Sequence, residues 1–163
     1  MSITVRLAES GDAPGLFREW QELRAHNAAT DSRIVPAPVT ETEFAAGLRE
    51  LLARPTAAVF VAERENELVG FIRAGIEHNQ PDRLPEQYVS VGYLFVDPSC
   101  RREGIGRRLF ESVREWAMRQ EGVAHFEMTV LSRDGSAEGF WRRQGFAPFI
   151  QRLWAPLAGE PPA

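Results

Sequence analysis

Lysine is absent from this chain, and all 19 basic residues are arginine. We read this bias as the codon usage of a GC-rich bacterial genome. A single cysteine, Cys100, excludes any intrachain disulfide and any zinc site built from paired cysteines. It also suits a reducing compartment, so the expected location is the cytoplasm. The first residues, Met1-Ser2-Ile3-Thr4-Val5-Arg6, lack the charged-then-apolar layout of a secretion signal. No apolar run approaches the roughly 18 residues of a membrane span. Positive charge is not in excess either. The formal net charge is -4, which argues against a protein that grips nucleic-acid phosphates along its whole surface. Neither a nucleic acid nor a membrane is an expected partner.

What is present is an ordinary globular balance. With 163 residues, 44% of them hydrophobic, the chain can bury a core as one domain. That domain is expected over residues 1–157, with a frayed tail at 158–163 that holds a glycine and two prolines.

Residues 3–8 alternate weakly and suit a first strand. Ser10-Gly11-Asp12 offers helix caps, and Leu16, Phe17, Trp20 and Leu23 recur at helical spacing, which predicts a helix over 13–26. Residues 27–39, with Pro36 and Pro38, read as a loop. Thr40-Glu41-Thr42-Glu43 has capping-box spacing, and Phe44, Leu48, Leu51 and Leu52 give the next helix its apolar face. Strands are expected at 57–63 and 68–76, joined at Glu65-Asn66 as a hairpin. A polar loop at 77–86 leads to a strand at 88–97. A helix then follows from Ile105, with Gly122 placed to stop the chain's helical run. Another strand is expected at 125–131, a short helix at 136–143 closed by Gly145, and a last extended segment at 146–157.

One stretch combines these parts into a binding feature. Residues 91–107 read as an apolar strand, a polar turn holding Gly104 and Gly106, and the start of a long amphipathic helix. A helix start has backbone N–H groups without intrahelical partners and the positive end of the helix dipole. Glycines let an anion approach that backbone, and Arg101, Arg102, Arg107 and Arg108 bracket them. The stretch therefore suits a phosphate or pyrophosphate. It is equally the form of an ordinary strand-to-helix turn with surface arginines.

The order β-α-α-β-β-β-α-β-α-β, with Arg101-x-x-Gly104-x-Gly106 at the strand-to-helix junction, resembles the GNAT superfamily of acyl-CoA N-acyltransferases. Val96-Asp97-Pro98 and Arg101 to Gly106 match its central signature. Asp134-x-x-Ala137, followed by Phe140-Trp141 and Gly145-Phe146, matches a second pattern. The resemblance implies an α/β fold: a mixed sheet with a splayed central parallel strand pair and helices on both faces. It implies acetyl-CoA as co-substrate and no metal. It places the pantetheine arm along Leu94, Phe95 and Val96. The pyrophosphate would lie on backbone N–H groups of Arg102, Glu103, Gly104, Ile105, Gly106 and Arg107, with Arg101 shaping the turn or meeting a phosphate. Asp134 and Trp141 fall on the family's asparagine and tyrosine positions near the donor.

The implied activity is acetyl transfer to a primary amine of a small molecule or peptide, by direct attack in a ternary complex. The alternative is an acyl-CoA-binding sensor or regulator without catalysis. Three departures motivate that alternative. An indole N–H at Trp141 cannot supply a proton near neutral pH, and an ionised Asp134 cannot donate. The family's usual carboxylate on the central strand is replaced by Ser90, Val91, Gly92 and Tyr93. The substitutes on hand are Tyr93 as proton donor to the thiolate, with Tyr88 more distant, Ser90 as a water-ordering relay, and Glu77, His78 or Glu86 as proton acceptor. Each also has a plain structural reading: Tyr93 alternates with Val91 and Phe95 as a core residue would, and the others suit a solvated rim. Cys100 has no base partner that would make it a nucleophile. Glu77, Asp82, Glu86 and Glu127 could favour a cationic acceptor. The apolar final segment, with Phe149, Leu153 and Trp154, is expected to pair in a homodimer or cover the sheet edge.

Overall fold

The computed structural model describes residues 2–160. In chain order its elements are β1 (Thr4–Leu7), α1 (Ala13–Thr30), α2 (Glu41–Leu52), β2 (Ala57–Arg64), β3 (Glu67–His78), β4 (Gln87–Val96), α3 (Ile105–Ala117), β5 (Val123–Met128) and α4 (Gly135–Arg143). Short 3-10 turns at Ser10–Asp12 and Pro98–Cys100 come before α1 and α3. The chain divides into two compact units. One runs up to Leu23 and then from Pro38 to Thr129; the other holds Arg24–Ala37 and the residues from Val130 onward.

The first unit is built on a five-stranded sheet of order β1-β2-β3-β4-β5. Its neighbours are antiparallel except β4 and β5, which are parallel. That is the mixed α/β sheet expected from the element order. Hairpin β2–β3 turns on Glu65 and Asn66, whose φ values of 52° and 65° are those of a type I′ turn. Strand alternation gives the sheet two apolar faces. Val59, Val61, Phe71 and Phe95 share one, covered by Ala13 and Leu16 of α1 and Leu48 of α2. Helix α3 covers the other with a buried stripe of Ile105, Leu109, Phe110, Val113 and Ala117. Each buried Val, Leu, Ile or Phe side chain contributes about 1.5–3 kcal/mol by leaving water. Gly70 is hemmed in by β4 and α3: a Cβ there would stand 2.8 Å from the Phe95 carbonyl oxygen and 3.4 Å from Leu109 Cδ1.

Local chemistry sets the helix ends. The Thr40 hydroxyl accepts from the Glu43 amide at 3.2 Å, and the Glu43 carboxylate accepts from the Thr40 amide at 2.8 Å, completing the capping box of α2. In the second unit, α4 begins at Asp134, whose carboxylate accepts from the Ala137 amide at 3.0 Å. It ends at Gly145, φ 96°, where the Gly145 and Phe146 amides donate back to the Arg142 and Trp141 carbonyls.

Four boundaries differ from the sequence reading. Strand β5 starts two residues early, at Val123, and ends at Met128 instead of residue 131, because β4 pairs with it no further than Val91. Helix α1 runs on to Thr30, four residues into the expected loop, because Asn27-Ala28-Ala29-Thr30 contains no breaker and the Thr30 hydroxyl donates to the His26 carbonyl at 2.8 Å. Strand β3 runs to His78, so Glu77 and His78 belong to the sheet and not to the loop. The last extended segment, 146–157, forms no strand. Pro148 and Pro156 remove ladder donors there, and Phe149, Ile150, Leu153, Trp154 and Leu157 are exposed. Of the tail expected to fray, 158–163, the last three residues lie outside the described residues.

Candidate active site

The site starts from an irregularity in β4. Arg73 of β3 pairs with Tyr93 and the next residue, Ala74, pairs with Val91, so Gly92 is an extra residue in β4. Such a bulge bends the strand and shifts its phase. Tyr93 therefore leaves the face of Val91 and joins the face of Ser90 and Tyr88. On the other side, β4 pairs with β5 only as far as Val91 opposite Met128. From Gly92 to Val96 the β5 side of the strand has no strand neighbour among the described residues. The parallel pair parts at this point.

Beyond the parting, β4 feeds the turn. The Asp97 carboxylate accepts from the Ser99 hydroxyl at 2.6 Å and the Ser99 amide at 2.8 Å, which holds it below the usual carboxylate range. The Arg101 guanidinium Nε donates to the Val96 carbonyl at 3.0 Å, so this side chain braces the strand end. Arg102 has φ 67°, in the left-handed region. Gly104 is the N-cap of α3 with φ 79° and supplies no side-chain cap to the first helical amides. A Cβ built on Gly104 would meet no atom within 4 Å, so the space over the turn is open. Glu103 is tied to Arg64, which also donates to Cys100 Sγ at 3.5 Å. Cys100 is buried beneath the turn. Ile105 is buried at the start of α3, while Arg107 reaches along the helix to Glu111 at 2.9 Å.

Of the candidate side chains, Glu77, Tyr88, Ser90 and Tyr93 fall on one face of the sheet. Tyr88 faces Glu77 and Ser90 faces Gly75 across the β3–β4 register. Tyr93 is 37% exposed, with the Arg73 guanidinium 5.9 Å from its ring centre; it is not a core residue. Ser90 also lies beside Glu127 in the parallel β4–β5 register. His78, paired with Gln87, falls on the opposite face, and Glu86 lies before β4. Leu94 and Phe95 point to opposite faces, Phe95 into the core.

Two further groups lie in this unit; of their residues the sequence assigns a role only to Glu127, as an attraction for a cationic acceptor. His125 Nε2 lies 2.9 Å from Glu127 Oε1, and the Tyr88 ring stacks on the imidazole with centroids 5.8 Å apart. Burial, and then the charges of Glu127 and Glu77, push the Tyr88 hydroxyl above its ordinary pKa. The signal for this pair was the His-x-Glu spacing on an alternating strand, which puts both side chains on one face. The second group is Glu19 on α1. It is 2% exposed, and neither carboxylate oxygen has a hydrogen-bond partner. Burial pushes its pKa up to about 8, with Asp97 and Glu22 adding to the rise against Arg18.

In the second unit, Asp134 caps α4 and also meets His26 Nε2 at 2.8 Å. Trp141 is buried, edge-on to Phe140 and Phe146. Both side chains thus have local roles within that unit. Among the described residues no group of His, Cys, Asp and Glu could hold a metal ion, and no helix is long and apolar enough to cross a membrane.

Parted parallel strands, a bulge in the first of them and a glycine-capped helix after the turn that follows it make up the candidate site. Residues 19–146 match the model of the acetyltransferase (GNAT) family. The chain belongs to that family. Solved structures agree on the fold. A four-fold mutant of a Bacillus halodurans protein is 20% identical with a TM-score of 0.79, covering 94% of this chain and 99% of that one. An aminoglycoside N-acetyltransferase in complex with CoA is 17% identical, TM-score 0.73, covering 95% and 94%. Glucosamine-6-phosphate N-acetyltransferase from Arabidopsis thaliana is 15% identical, TM-score 0.73, covering 97% and 100%. No curated protein matches the sequence.

Proposed function

We propose that this chain transfers an acetyl group from acetyl-CoA to a primary amine of a small molecule or peptide. The observation that carries the reading is the parting of β4 from β5 after Val91, just ahead of the turn into α3. An acyl-CoA has two parts that fit this order. Its pantetheine arm is an extended chain with amides, able to pair with the vacated side of β4 at Leu94, Phe95 and Val96. Its pyrophosphate suits the amides of Arg102 to Arg107, at a helix start where the N-cap Gly104 offers no side-chain cap. Arg101 serves by fixing the strand end from which the turn starts. When bound, the thioester supplies an activated acetyl carbon with a good leaving group; the protein's part is to orient the amine and move its proton. Two of the similar structures are N-acetyltransferases of an aminoglycoside and of glucosamine-6-phosphate, which favours an amine as acceptor.

The test is a thermal-shift titration with acetyl-CoA, followed by CoA release across a panel of amines and peptides. A shift with acetyl-CoA and turnover with at least one amine is the expected result. A shift with no turnover in any acceptor turns the reading to a CoA sensor, and no shift at all overturns the donor site.

A further inference from the structure

The sheet face beside the parted strands carries a titratable cluster outside the donor motifs. His125 and Glu127 project from β5 and contact each other at 2.9 Å. Glu127 lies beside Ser90 on β4, and Tyr88 of β4 stacks on the imidazole with its plane only 14° from parallel. Glu77 of β3 faces Tyr88. Ser90 and Glu127 lie one residue short of the last β4–β5 pair, Val91 and Met128, and Tyr88 and His125 lie three residues short of it. A group here borders the gap in which an acyl chain would lie.

We propose that the His125–Glu127 pair accepts the proton of the attacking amine, an inference that rests on the acetyl-transfer reading above. An alkylamine is protonated at neutral pH and cannot attack until it is neutral. In the step, the ammonium gives one proton to the pair. The nitrogen then forms the C–N bond at the thioester carbonyl as the C–S bond breaks. Its second proton goes to the departing sulfur, and the pair later releases its proton to water. No electron is gained or lost. The neighbours suit this role less well. Tyr88 is pushed toward its protonated form, Ser90 does not titrate in this range, and the Tyr93 ring lies against the Arg73 guanidinium. A carboxylate that orients an imidazole is the arrangement a general base needs. Thus the carboxylate missing from β4 is supplied by the adjacent strand on the same face.

The test uses Glu127→Gln and His125→Gln with whichever amine the wild type acetylates. At pH 7.5 each should lower kcat about 100-fold or more. Calorimetry should give both the wild-type affinity for acetyl-CoA. The deficit should then shrink, by up to tenfold per pH unit, as the pH rises toward the amine's own pKa, because solution then supplies neutral amine. A deficit that stays constant with pH, or none at all, overturns the pair as base. A wild type that binds acetyl-CoA yet acetylates no amine overturns the functional reading itself. If near-ultraviolet circular dichroism shows that a glutamine variant is unfolded, Glu127→Asp and His125→Asn replace them under the same criteria.

Discussion

Glu19 makes stability depend on pH in a direction opposite to that of most carboxylates. Its oxygens are buried without a partner, and its pKa rises from the ordinary 4.5 to about 8. Between those values the folded chain holds a proton that the unfolded chain has released. Linkage then requires stability to fall as pH rises, because the native state binds more protons. The contribution is fully present below 4.5, is lost through the interval up to about 8, and is flat above it. Each pH unit in the interval is worth about 1.4 kcal/mol, so the whole interval amounts to roughly 5 kcal/mol. Internal relaxation makes that an upper bound. Glu19→Gln removes the titration and keeps the shape. The difference in unfolding free energy between Glu19→Gln and wild type cancels every other titrating group. It should be small at pH 5 and grow in favour of the variant toward pH 8. Glu19→Met should add a pH-independent gain of about 1–3 kcal/mol by removing the unpaired polar group. Urea denaturation at half-unit steps from pH 4.5 to 9 measures both curves. A flat difference would show that the ionised carboxylate finds water or a cation, and the argument from its burial would fail.

Other local features yield sharper single-site outcomes. Thr40→Ala removes one half of the capping box and should cost about 1 kcal/mol by chemical denaturation; no loss would mean that Glu43 alone suffices. Glu65→Asn with Asn66→Gly places the residues a type I′ turn prefers where φ is 52° and 65°, and should raise stability by about 1 kcal/mol. Gly104→Ala meets no atom within 4 Å, so its cost should be only the left-handed backbone, about 1–2 kcal/mol. Gly104→Val should in addition abolish the acetyl-CoA-induced thermal shift, since its branches enter the open space over the turn; a retained shift would move the anion elsewhere.

What could be read from the sequence was set by residues close together in it. The Thr40–Glu43 box, the Glu65-Asn66 turn, the Gly145 helix stop and the Arg101 to Gly106 junction each depend on a few neighbouring positions, and each formed as the spacing required. The β-α-β unit around α3 follows from the same local rules, because a crossover helix makes its flanking strands parallel. What could not be read was phase and lateral neighbourhood. Alternation along β4 places Tyr93 with Val91 in the core. The Gly92 bulge reverses that phase and brings Tyr93 to the face of Ser90; the lone glycine within the strand is a sign that a bulge could form, but it does not tell which way the phase turns. The apolar run at 146–157 shows the converse: hydrophobicity without a ladder partner, interrupted by prolines, makes no strand. The apparent loss of a carboxylate from β4 has the same cause. Counting along one strand finds serine where an acid is expected. A sheet face, however, is shared by strands, and the residue beside Ser90 is Glu127. A catalytic position is therefore better defined by face and register than by strand. On that definition the position beside Ser90 carries an acid, Glu127, in contact with His125 at 2.9 Å, and the base proposed above is sought on the adjacent strand.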